Sequence, residues 1–207
     1  IKDGRIIKVT DKTQAFDTEI DAAHCYVSAG FIDMHVHGGN GYDFMDGGIE
    51  PIIEAAKLHL RHGSTSILPT TLACSTAVLT EFLLDLRKAK EICKNIIGAH
   101  LEGPYFSLEQ SGAQNPRYIK CPEPSEYQEI LKIGNGLIKR WSFAPELDGS
   151  EAFCKALIQH HIIPSIGHSN AVLEDVKKVY ALGCNFITHL YSGMSTITRK
   201  GGFRRLG

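Results

Sequence analysis

Two histidines one residue apart, His35 and His37, lie in the run from Ala29 to Gly39, which reads Ala-Gly-Phe-Ile-Asp-Met-His-Val-His-Gly-Gly. In a β-strand alternate side chains share a face, so Asp33, His35 and His37 point one way while Ile32, Met34 and Val36 point the other. Two imidazoles on one face can reach a single metal ion, and Gly38-Gly39 ends the strand so that the second histidine sits at an open end. Taken alone, the pair fits equally well as two polar residues at a strand end. Three further β-rich runs end in the same chemistry. Gly98, His100 and Glu102 share a face in the first, Pro164, Ile166 and His168 in the second, and Ile187 and His189 in the third. Four imidazoles and one carboxylate are enough to hold two divalent ions, with Glu102 bridging them because a carboxylate has two oxygens. Seen singly, Glu102 fits a strand-end salt bridge and His168 or His189 a core histidine. Seen together, all of them end strands at one edge, which those separate readings leave unexplained.

The elements that must position these residues alternate along the chain. Apolar residues at helical spacing predict helices over 51–62, 75–94, 122–134 and 150–161, and one capped by Asn170 that stops at Gly183. Ser125 to Gln128 has the form of a capping box in the third of these. Strands are predicted at 29–39, 65–73, 96–102, 138–146, 162–168 and 184–191. Six strands joined by helical crossovers indicate an α/β chain with a parallel sheet. A doubly wound sheet would carry Gly-x-Gly-x-x-Gly after its first strand, and that motif is absent from the sequence. Polar residues gathered at strand ends fit a barrel whose strands converge on one mouth, a (β/α)8 TIM-type barrel. Eight units need about 250 residues, so the expected barrel is truncated after about six βα units and occupies residues 30–207. Residues 1–29, with strands expected at Ile6–Val9 and Ile20–Val27, read as part of a small N-terminal β-sandwich.

Composition narrows the partners. The 207 residues are 43% hydrophobic and 22% charged with a net charge of -1, so no basic field favours nucleic acid. No apolar run of about 18 residues argues for a membrane span. The six cysteines are scattered without a Cys-x-x-Cys pair, and no signal peptide is visible, which points to a reduced, cytoplasmic setting.

The motifs also resemble those of a known family. Gly-Phe-Ile-Asp-Met-His-Val-His-Gly, His-Leu-Glu-Gly-Pro (100–104), Ala-Pro-Glu (144–146), Gly-His-Ser-Asn-Ala (167–171) and Thr-His-Leu-Tyr (188–191) are similar in order and spacing to the N-acetylglucosamine-6-phosphate deacetylases of the amidohydrolase superfamily. The resemblance implies a metal-dependent barrel with a small β-sandwich built from both chain ends, and a homodimer. It makes Glu102, His168 and His189 the principal metal ligands and assigns His35 and His37 to a second site, with one or two ions, zinc or iron. Such a centre activates a water against the acetamide of an amino-sugar phosphate, so that acetate leaves. The family's proton-shuttling aspartate ends the eighth strand. It would lie beyond Gly207, so no catalytic residue is assignable and the chain alone is expected to bind metal poorly and to be inactive.

Three substrate-binding positions depart from the family pattern. Gln114 stands where a histidine usually meets the acetyl carbonyl, Ser192-Gly193 replaces Asn-Ala near the phosphate, and Arg199-Lys200 replaces the context of a phosphate-binding arginine. Two other readings remain open. One is an amidohydrolase for cyclic amides or N-acyl amino acids, although those relatives more often carry a lysine where Glu102 stands. The other is a non-catalytic partial barrel that binds metal or a partner protein. An unclosed barrel is also expected to expose an apolar edge.

Overall fold

The computed structural model describes residues 1–12 and 15–205, with the side chains at 198–200, 204 and 205 excepted. In chain order the elements are β1 (Phe31–Val36), β2 (Gly38–Gly39), β3 (Tyr42–Asp43), α1 (Ile49–Arg61), β4 (Ser64–Pro69), α2 (Thr76–Ile92), β5 (Ala99–Glu102), α3 (Pro124–Ile133), β6 (Ile138–Phe143), α4 (Ser150–Gln159), β7 (Ile163–Ile166), α5 (Leu173–Ala181), β8 (Phe186–Ile187), β9 (Thr198–Lys200) and β10 (Phe203–Arg205).

Local chemistry accounts for the element boundaries. The Ser75 hydroxyl accepts from the Val78 amide at 3.3 Å and caps α2. That helix then buries Leu79, Phe82, Leu83, Leu86 and Ala89 along one stripe. The capping box expected at Ser125 does not form. Pro124 occupies the first turn of α3, Glu123 precedes it as cap residue, and the Ser125 hydroxyl turns to Glu123 at 3.4 Å. Nor does Asn170 cap α5, whose first turn is closed by the Asp175 carboxylate accepting from the Val172 amide at 3.3 Å. Asn40-Gly41, both at positive φ, turns the chain between β2 and β3.

All strands of the main sheet run parallel and lie beside their neighbours in sequence. β1 pairs β4, parallel bridges Ile67–Ile96 and Thr70–His100 tie β4 to β5, and β5, β6, β7 and β8 follow in order. The arc curls enough to bring the rings of His35, on β1, and His189, beyond β8, to 5.7 Å centroid separation. On its outer face the strands meet the helices around Phe153 of α4. The Phe153 ring lies 4.9 Å from Tyr105, 5.0 Å from Trp141, 5.1 Å from Tyr127 and 5.4 Å from Phe143. Along β6, Trp141 and Phe143 face this core while Arg140 and Ser142 face the inside of the arc.

Two sequence expectations are corrected here. Among the described residues of 1–30 the regular pairing is a single bridge, Lys2–Arg5, so the strands expected at Ile6–Val9 and Ile20–Val27 do not form. Ile7, Val9, Ile20 and Val27 are exposed and lack a partner strand to cover them. The run 184–191 contributes only Phe186–Ile187 to the sheet, because the backbone leaves the extended region at His189. Phe31 and Ile32 of β1 are both 67% exposed. No helix among the described residues is long and apolar enough to cross a membrane.

Candidate metal centre

Glu102 ends β5 with 2% of its surface exposed and is met by four imidazoles. Its Oε1 lies 3.0 Å from His189 Nε2 and 3.3 Å from His168 Nε2 and from His35 Nε2; its Oε2 lies 3.3 Å from His37 Nε2. Burial alone would push this carboxyl's pKa up. The four imidazoles outweigh burial and hold it far below the usual carboxylate range, so the group is an anion. His189 is shifted upward chiefly by Glu102. At His37 burial opposes the shift, and Glu102 still carries it upward.

β1 carries His35, and His37 follows it directly. His168 and His189 arrive differently. Strict alternation puts Ser165 of β7 and Thr188 inside the arc, where both hydroxyls meet Arg140, and would turn the residues at 168 and 189 outward. Both histidines instead adopt left-handed backbone, φ 49° at His168 and 32° at His189, which swings their rings into the mouth. That conformation costs on the order of 1–3 kcal/mol at a non-glycine residue. The face-sharing expected for these two strands is corrected accordingly.

The imidazole orientation decides what the cluster can hold. His168 Nδ1 donates to the Gln110 carbonyl at 2.8 Å, and His189 Nδ1 donates to the Ser192 carbonyl at 2.8 Å. In the neutral form of each ring Nε2 is then the lone-pair atom, and these two atoms point at Glu102 and at each other across 3.2 Å, a place that a proton or a metal ion can fill. Facing lone pairs beside a buried anion repel unless a cation sits among them. The donor set, neutral imidazole plus carboxylate with backbone carbonyls behind the rings, fits a divalent ion. Glu102, His168 and His189 form one such group, and His35, His37 and Glu102 a second, with the ligand atoms in each within 4.8 Å of one another. The second group is less firmly held. His37 Nδ1 is buried and has no hydrogen-bond partner among the described residues.

No family model matches the chain. An N-acetylglucosamine-6-phosphate deacetylase from Lysinibacillus sphaericus is 30% identical over 205 residues, covering 94% of this chain and 51% of that protein. The crystal structure of the N-acetyl-D-glucosamine-6-phosphate deacetylase from Mycobacterium smegmatis superposes with a TM-score of 0.78 at 30% identity, over 82% of this chain and 45% of that one. The chain is a relative of the N-acetylglucosamine-6-phosphate deacetylases. It spans about half the length of the curated deacetylases it matches. An N-acetylgalactosamine-6-phosphate deacetylase from Escherichia coli O157:H7 is 29% identical over 201 residues, covering 94% of this chain and 52% of that protein. This likeness therefore spans two epimeric sugars.

Around the candidate ligands, the positions at which the sequence departs from the deacetylase pattern fall into two groups. Gln114 is 3% exposed; its carbonyl accepts from the Ala73 amide at 2.6 Å, which turns its amide group to donate to Glu102 Oε2 at 2.9 Å. The Ser192 carbonyl holds His189, and Gly193 packs against both imidazoles at a positive φ of 60°. A Cβ at Gly193 would stand 3.1 Å from His168 Nδ1. Arg199 and Lys200 lie on β9, and their side chains are outside the described residues.

Sequence reasoning placed His100 on the face of Glu102 but missed the layer that it forms beneath the site. His100 is fully buried with its ring 4.8 Å from that of His35, and burial, aided by Arg140, pushes its pKa well down, so it is neutral. Arg140, Ser142, Ser165 and Thr188 complete that layer. The alternation Arg-x-Ser in β6 was the available signal, two polar residues on one face of a strand whose other face is aromatic. Glu146 was also missed as an anchor. It accepts from the Ser169 hydroxyl at 2.7 Å and the Asn170 amide at 2.5 Å, fixing the turn after His168.

Proposed function

We propose that this chain serves the metal-dependent hydrolysis of the acetamide of an N-acetylhexosamine 6-phosphate, with N-acetylglucosamine-6-phosphate as the first candidate, releasing acetate and the amino-sugar phosphate. The observation that carries the reading is the convergence of the His168 and His189 Nε2 lone pairs on the buried anion Glu102. A divalent ion held there, zinc or iron, supplies Lewis acidity toward the amide carbonyl and a water acidic enough to attack near neutral pH.

The chain's own residues have separable parts in this scheme. Glu102 would serve both the position of His168 and His189 and that of His35 and His37. Gln114 and Gly193 border the space where the acetamide enters, Gln114 as an uncharged donor and Gly193 by leaving room beside the imidazoles. Ser192 shapes the same loop. Arg199 and Lys200 are assigned to the 6-phosphate, Arg199 through paired N–H groups and Lys200 as a point charge. The arc of six parallel strands is read as part of a (β/α)8 barrel domain over 30–207. Residues 1–29 are read as a segment of a small β-sandwich that needs further strands to fold. The enzyme is read as a cytoplasmic homodimer.

The polypeptide that carries this chain should be assayed, metal-loaded and after chelation, on N-acetylglucosamine-6-phosphate, N-acetylgalactosamine-6-phosphate and N-acyl amino acids. Chelator-sensitive release of acetate from a sugar phosphate is expected. Hydrolysis of N-acyl amino acids alone would sink the proposal.

A further inference from the structure

Arg140 is a buried cation, 4% exposed, and among the described residues its direct partners include no carboxylate oxygen. It crosses the inside of the arc from β6. Nη1 donates to the Met34 carbonyl of β1 at 3.3 Å, and Nη2 donates to the hydroxyls of Ser165 at 3.0 Å and Thr188 at 2.9 Å. From there the hydroxyls continue in contact: Ser165 to Thr188 at 2.8 Å, Thr188 to Ser142 at 2.6 Å, and Ser142 to His100 Nε2 at 2.7 Å. On the far side of the ring, His100 Nδ1 meets the Thr70 hydroxyl at 3.2 Å. Thr70 accepts from the Val36 amide at 3.0 Å and lies 3.0 Å from the Leu68 carbonyl.

Counting protons fixes the direction of this chain of bonds. Guanidinium only donates and each hydroxyl has one proton to give. Running away from Arg140, Ser165 donates to Thr188, Thr188 to Ser142, Ser142 to His100 Nε2, His100 Nδ1–H to Thr70, and Thr70 to the Leu68 carbonyl. Every hydroxyl and imidazole proton has an acceptor, and Thr188 and Thr70 each fill two lone pairs, whereas Arg140 Nε is buried with no partner among the described residues. The reverse direction strands the Ser165 proton, for which the described residues offer no other acceptor.

We propose that Arg140 is a positioning residue for the His35–His37 pair. It grips β1 directly at Met34 and, through the hydroxyl relay and a His100 fixed as the Nδ1–H tautomer, at Val36. The two attachments bracket His35. They fall where the β1–β4 pairing loses its regular register, between Asp33 and Val36, so side chains supply there what the ladder does not. His100 also supports His35 physically, edge to face at 84°.

The test uses the chain itself, metal-free, with nitrogen-15 imidazole spectra that separate Nδ1–H from Nε2–H histidine. His100 is expected as Nδ1–H. Arg140→Met removes the donor that orients the relay, so the Nε2–H form of His100 should appear and the His35 and His37 signals should move while those of His168 and His189 stay. Arg140→Lys keeps a charged donor and should restore the original pattern. Ser142→Ala cuts the last link with Arg140 in place and should free the tautomer as Arg140→Met does, which keeps the test decisive if that variant does not fold. An Nε2–H His100 in the unmodified chain would overturn the proposal, as would an unmoved Nδ1–H pattern in whichever of the two variants folds. Zinc titration adds a readout that rests on the metal reading: Arg140→Met should weaken the second equivalent about tenfold or more and leave the first. Failure of the titration with the tautomer shift intact would count against the metal reading alone.

Discussion

His189 Nε2 stands 3.0 Å from Glu102 Oε1 and 3.2 Å from His168 Nε2, while its Nδ1 is tied to its own loop at the Ser192 carbonyl. The loop thus leaves Nε2 as the titrating atom that faces Glu102, protonated in the metal-free chain at low pH and a lone pair when the ring is neutral. The His35–His37 pair has the same 3.2 Å separation of Nε2 atoms without a partner behind His37. The two halves of the centre should therefore differ in strength.

Glu102→Gln removes the one anion common to both halves and should lower metal affinity on the order of 100-fold or more, emptying both. His35→Asn should empty only the second. Elemental analysis of the two purified variants checks this, and equal loss in both would overturn the hierarchy.

Acidity gives a second check. His189 and His37 are shifted above their ordinary 6.5, so their contribution to the stability of the metal-free chain is fully present below 6.5 and is lost as pH rises through the shifted values. His100, shifted the other way, acts only below 6.5. Metal loading reverses the trend above 6.5, because raising pH strips the protons that compete with the ion. Thermal melts with chelator should fall as pH rises above 6.5 while apparent zinc affinity climbs over the same range. Melts that rise in step with affinity would contradict the shifts.

Gly193→Ala places a Cβ 3.1 Å from His168 Nδ1 and 3.4 Å from His189 Cε1, at a backbone φ that side chains rarely adopt. The rings must give way, so metal affinity should fall about tenfold with a loss of stability of about 1–2 kcal/mol. Titration calorimetry beside urea unfolding measures both; unchanged affinity would show that the rings do not depend on this close approach.

Phe153→Ala opens the aromatic cluster behind β6 and should cost about 3–5 kcal/mol, read by urea unfolding. A cost below about 1 kcal/mol would mean that the cluster closes over the gap.

Much of this was legible before any coordinates. The period of α2 and its Ser75 cap, and the shared face of His100 and Glu102, follow from local rules, and the structure keeps them. What local rules missed was set by backbone and by contacts distant in sequence. Alternation along β7 and β8 places His168 and His189 on the wrong face, and only the left-handed turn at each brings them in. Ser125 to Gln128 has the capping-box pattern, but Pro124 starts the helix earlier. The Ile6–Val9 and Ile20–Val27 runs have strand composition without a partner. Arg140 reads as an ordinary strand charge until β1, β7 and Thr188, just past β8, supply its acceptors from 106, 25 and 48 residues away.

The central claim is that Glu102, His168 and His189 hold a divalent ion. Anomalous diffraction from crystals grown with zinc tests it most directly. The account predicts a principal peak about 2.0–2.2 Å from Glu102 Oε1, His168 Nε2 and His189 Nε2, with any second, weaker peak between His35 and His37. A crystal in which those three atoms keep their separations with no peak among them, or in which zinc sits only elsewhere, would contradict it.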